Sequence, residues 1–145
     1  MFENLLQKIK TLLETNDLLQ RVYDYETSES DGFPFATITP SANESDYAST
    51  TENRRTYAFN IRLFAERAGQ TSAGPADLAM RELVDSTLDL LDSNYTLSGT
   101  TAKTGYTVMF SRATPSIWGY AGGKMEYRVA EIKIQVIVLV DVNEI

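Results

Sequence analysis

The sequence contains no cysteine and no histidine. The first absence excludes disulfides, thiol nucleophiles and thiolate metal sites; the second excludes imidazole bases and nearly every transition-metal site. Together they remove most hydrolase chemistry, so the chain reads as a non-enzymatic protein with no catalytic residue, cofactor or metal. Basic residues are also short in supply, 13 against 20 acidic ones, and the net charge of -7 argues against a surface built to grip a phosphate backbone. Long apolar runs are missing too. The longest, Val136 to Val140, is strand-sized and far below the roughly 20 residues needed to span a bilayer. The N-terminal MFENLLQKIK is amphipathic and does not read as a signal peptide, which leads us to expect a protein made in a cytoplasm.

What is present suits one globular domain covering 1–145, with 43% hydrophobic and 23% charged residues. Phe2, Leu5, Leu6, Ile9, Leu12 and Leu13 form a helical stripe that Asn16 and Asp17 close. Leu19 to Glu26 reads as a first strand, and Gly32 and Pro34 turn the chain into a second, Phe35 to Thr39, which Pro40 ends. Arg55 to Glu66 alternates as a long third strand, with Tyr57, Phe59, Ile61 and Leu63 on one face. After a loop at Gly69 to Pro75, a helix runs to about Asp92 with Met80, Leu83, Val84, Leu88 and Leu91 inward. Tyr106 to Ala113 is a fourth strand, TPSIWGYAGGK a connection rich in turn residues, and Glu126 to Val142 a long fifth strand. In that last strand every even position from Ala130 is apolar, and the odd positions change from polar to apolar at Ile137 and Leu139. One end of it should therefore be covered on both faces. The order α-β-β-β-α-β-β predicts an α+β fold, two helices on one face of a mostly antiparallel sheet of about five strands.

Candidate chemistry is thin. Asp24, Glu26, Glu29 and Asp31 are the densest carboxylates, yet from Asp24 the turn position of an EF-hand holds Glu29 and the last ligand position holds Phe35, so a solvated strand end is the better reading. Ala121-Gly122-Gly123-Lys124 lacks the flanks of a phosphate loop and is a turn. Asp77, Arg81, Asp85, Asp89 and Asp92 line the polar face of the second helix. That face is either solvated, the simpler case, or meets a basic partner or lines an acidic channel. Trp118 is either an aromatic anchor for a partner or a plug over one end of the core.

Six segments, RVYDYE (21–26), GFPFATITPS (32–41), ENRRTYAFNIRLFAE (52–66), MRELVDS (80–86), PSIWGY (115–120) and RVAEIKIQV (128–136), resemble small proteins encoded among the head-to-tail joining and tail genes of long-tailed bacteriophages. The element order is similar to that of tail-terminator proteins. The resemblance implies a virion protein, assembled in the host cytoplasm as a homo-hexameric ring at the head-proximal end of the tail. Its implied partners are further copies of itself, the tail tube protein and the head connector or stopper, with DNA passing through the lumen without specific binding. A head–tail neck or stopper protein is the alternative, and a small-ligand binding domain a more distant one.

Two expectations concern contact residues. Ile137 and Leu139 should be covered by the first helix or by a neighbouring subunit, since large aliphatics on a polar face would otherwise leave apolar surface exposed. Ser41 to Asn53 should be an arm projecting from the sheet, with Tyr47 as its anchor and Arg54 and Arg55 pairing with acids on the partner.

Overall fold

The computed structural model describes residues 1–27, 29–47, 49–66, 73–97, 103–121 and 127–144. Two helices, α1 (Phe2–Glu14) and α2 (Ala73–Ser93), accompany five strands: β1 (Arg21–Tyr23), β2 (Phe35–Tyr47), β3 (Glu52–Glu66), β4 (Tyr106–Ala121) and β5 (Tyr127–Asp141). The strands form one sheet in the order β1-β2-β3-β5-β4, antiparallel except for the short β1–β2 pair. With 15 residues each, β3 and β5 run roughly 50 Å side by side.

The predicted α+β architecture holds, and the alternation of β5 explains why both helices share one face. Ala130, Ile132, Ile134, Val136, Val138 and Val140 are all buried, as are Tyr57, Phe59, Ile61 and Leu63 beside them on β3. Leu5, Leu6, Ile9 and Leu13 of α1, with Met80, Leu83, Val84 and Leu91 of α2, close over this inner face in one continuous core. Each large aliphatic there contributes roughly 1.5–3 kcal/mol by leaving water. Phe2 packs edge-on against Tyr57 and Phe59 at centroid distances of 4.8 and 5.6 Å, pinning the start of α1 to the middle of β3. Its other end is tied by Asn16, whose Nδ2 donates to Ser86 Oγ at 3.1 Å on α2.

Two segments expected to be loops are strand. Pro40 does not end β2, which continues to Tyr47 opposite Asn53 after a bulge between Pro40 and Ala42. Beyond Thr37 nothing pairs with the outer edge of β2 among the described residues, so the missing proline N–H leaves no ladder bond unmade. The 41–53 segment is therefore no projecting arm. Its last two residues open the interior strand β3, whose Glu52 to Thr56 pair with Asp141 to Ile137 of β5. Likewise most of the TPSIWGY connection belongs to β4, which reaches Ala121 through a second irregularity between Pro115 and Trp118. The Gly122 to Lys124 turn and the Gly69 to Ser72 part of the loop before α2 lie outside the described residues. β1 is shorter than expected, because only Arg21 to Tyr23 reach the β2 edge.

Candidate interaction surface

The face of the sheet away from the helices is unevenly covered. At one end, Phe35 and Phe64 face each other across β2 and β3, their rings stacked 4.5 Å apart, and both are buried. Phe33 stacks on Tyr127 at 5.2 Å, and Tyr23 meets the Phe35 edge at 5.8 Å. The chain from β1 to β2 thus folds over the start of β5 and seals it. Next along the face, Arg62 bridges Glu26 and Glu131, and the latter is largely buried. The double coverage predicted for β5 exists, but at its beginning; a single strand's alternation cannot reveal aromatics contributed by three other segments.

The far end is open. Ile137 and Leu139 are half-buried on this outer face, while α1 lies on the opposite one, so the first helix does not cover them. Thr56 stands opposite Ile137 and Arg54 opposite Leu139. Across the other side of β5, Phe110 pairs with Ile137 and Arg112 with Gln135. Met109 and Phe110, 48% and 40% exposed, join Ile137, Arg54, Arg112 and Glu44 around a groove of about 560 Å³. Elsewhere in the sheet Arg21 pairs with Asp31, Arg62 with Glu26 and Glu131, and Arg128 with Asp77. Arg54 and Arg112 form no ion pair with a described residue, which leaves two guanidinium groups beside exposed apolar surface.

No family model matches the sequence, and no curated protein does. The fold, however, is shared. A chain from the virion of the native gene transfer agent particle superposes with a TM-score of 0.56 at 12% identity, covering 94% of this chain and 96% of that one. The likeness thus extends over nearly the whole of both chains.

The remaining predicted contact residues scatter. Arg55 is on the inner face, where its Nη1 donates to Tyr106 Oη at 3.0 Å and to Tyr57 Oη at 3.4 Å. The bond to Tyr57 is the main reason its pKa is raised, ahead of the opposing effect of burial. Burial by itself would raise the Tyr106 phenol, but the cations Lys103 and Arg55 outweigh it and hold the group below its usual value. Tyr47, described by its backbone, sits at the β2–β3 tip. Trp118 lies toward the opposite end of β4, opposite Ala130 on the helix side of the sheet. Its ring lies 5.3 Å below the Arg128 guanidinium, which also donates to Asp77 Oδ1 at 2.6 Å and to the Gly119 carbonyl at 2.7 Å. At 38% exposure, under a cation anchored to α2, Trp118 is neither a core plug nor a free anchor. The acids of the 24–31 segment disperse to separate partners, Asp24 to Gln7, Glu26 to Arg62 and Asp31 to Arg21. Among the described residues no three carboxylates gather in a way that could hold a metal ion.

Sequence reasoning missed Met109, Phe110 and Arg112, for a geometric reason. Tyr106 and Val108 point inward, and strict alternation would send Phe110 the same way. The register shift between Val108 and Phe110 inserts Met109 as an extra residue and turns Phe110 outward instead. A large aromatic two positions before an arginine was the signal available.

Proposed function

We infer that this chain is a non-enzymatic structural subunit of a phage-like particle. It assembles into a ring at the head-proximal end of the tail, ends growth of the tail tube and meets the head connector. The observation that carries this reading is the fold held in common, from end to end of both chains, with a virion component of the gene transfer agent particle. The six sequence segments resembling head-to-tail joining proteins support it independently of the fold. So does the open end of the outer face, since exposed apolar side chains beside arginines that form no ion pair with a described residue are what an assembly subunit presents before it meets its neighbours. The net charge of -7 fits a ring through which DNA slides without being held.

The test is genetic. Particles produced without this chain should accumulate as separate heads and tails, with tubes of uncontrolled length, and adding back the purified protein should restore joining. Normal, joined particles in its absence overturn the reading. Separate heads beside tails of regular length would instead favour a neck or stopper station. Tight, salt-sensitive binding of duplex DNA by the purified chain would also count against it.

A further inference from the structure

The two long edges of the sheet are poor candidates for joining subunits. The outer edge of β2 carries Pro40, a bulge and Glu44; β4 carries Pro115 and two register shifts. These are devices that discourage edge-to-edge pairing. The open groove on the outer face has no such protection, and a surface of matching chemistry exists on the other side of the same molecule. Along the solvent face of α2, Glu82, Asp85, Asp89 and Asp92 are all exposed, opposite the stripe that enters the core. None forms an ion pair with a described residue. The exposed apolar residues Leu78 and Tyr95 flank this acidic row. Asp89 and Asp92 lie in the last turns of the helix, where the dipole disfavours negative charge and where no basic residue compensates. A basic partner would relieve that unfavourable arrangement.

We propose that the groove around Phe110 and Ile137, with Arg54 and Arg112 on its walls, receives the acidic face of α2 from a second copy of this chain. Charge complementarity identifies the occupant. The groove offers two guanidinium groups that form no ion pair with a described residue, with Glu44 the one acid among the described residues lining it, and the helix offers four carboxylates with apolar residues at both ends. Because the groove and α2 lie on opposite faces of one sheet, a chain cannot satisfy its own groove. The contact is heterologous, and repetition generates a closed ring or an open filament. This inference rests on the ring reading above and adds to it the surfaces that meet.

A charge swap tests it. One variant carries Arg54→Glu and Arg112→Glu, the other Asp85→Lys and Asp89→Lys. All four positions are outside the core, so circular dichroism should show wild-type folding in both; if a double variant unfolds, R112E and D89K carry the same test. Light scattering on the purified full chain should show wild-type protein associating as concentration rises. Each variant alone should have its dissociation constant raised at least roughly tenfold. An equimolar mixture should recover association, because the reversed groove accepts the reversed helix while the remaining pair is wild type. Variants that associate normally, a mixture that stays dissociated, or a wild-type chain that remains monomeric at millimolar concentration would each overturn the contact. Variants that form rings yet fail to join tails would assign the groove to a different protein. All of these outcomes leave the particle reading to the deletion experiment, so the two can fail separately.

Discussion

The two faces of this sheet have been given different tasks, and β5 shows the difference within one strand. Its even positions, Ala130 to Val140, are uniformly apolar and uniformly buried beneath α1 and α2. Its odd positions begin beside a sealed aromatic cluster, pass through Glu131 in its ion pair with Arg62, and end at Ile137 and Leu139 on open surface. The inner face is a completed core. The outer face is sealed at one end and open at the other, where half-buried Ile137 and Leu139 lie near exposed Met109 and Phe110.

Substitutions can separate these tasks. The largest loss belongs to the inner face: Phe59→Ala, at a fully buried position in contact with Phe2, should cost about 3–5 kcal/mol in urea unfolding. A loss below about 1 kcal/mol would mean that α1 is not fixed there. At the sealed end of the outer face, Phe35 and Phe64 should be coupled. A double-mutant cycle with leucine at both positions should give an interaction of about 0.5–1.5 kcal/mol, and additivity would contradict the stacked geometry. At the open end, Ile137→Asp should cost only about 1 kcal/mol and leave a folded chain that no longer assembles. An unfolded variant would assign Ile137 to the core.

A smaller effect concerns the inner-face corner where Arg55 meets Tyr106. The Tyr106 phenol is held below its ordinary value, so across the interval from that lowered value up to about 10 the unfolded state binds more protons than the folded one. Stability should therefore rise with pH over that interval, measured against Tyr106→Phe as the reference. A difference between the two proteins that stays constant from neutral pH to about 10 would show that Lys103 and Arg55 do not favour the phenolate in the folded state.

Much of the inner face was legible in the sequence because apolar residues recur every second position through Tyr57 to Leu63 and Ala130 to Val140, and every third or fourth along both helices. The outer face was less so. Ser41 to Asp46 holds only Ser, Ala, Asn, Glu and Asp and follows a proline, so it carries no hydrophobic alternation; its strand conformation comes from pairing with β3. Arg54 and Arg55, adjacent in sequence, were grouped as one basic contact, yet the pleat sends them to opposite faces, one to the groove and one to Tyr57 and Tyr106. Ile137 and Leu139 were identified as residues that need a cover. Their neighbours on β4 were hidden by a bulge at Met109, which reverses the alternation locally and leaves no mark in composition.

The central claim, that the open end of the outer face joins subunits of a particle, is tested most directly by imaging that particle at side-chain detail. The account predicts a closed ring of this chain between tail tube and head, with the Phe110–Ile137 groove of each subunit filled by α2 of the next. A particle that lacks the chain, or a ring in which Phe110 and Ile137 face solvent, would contradict it.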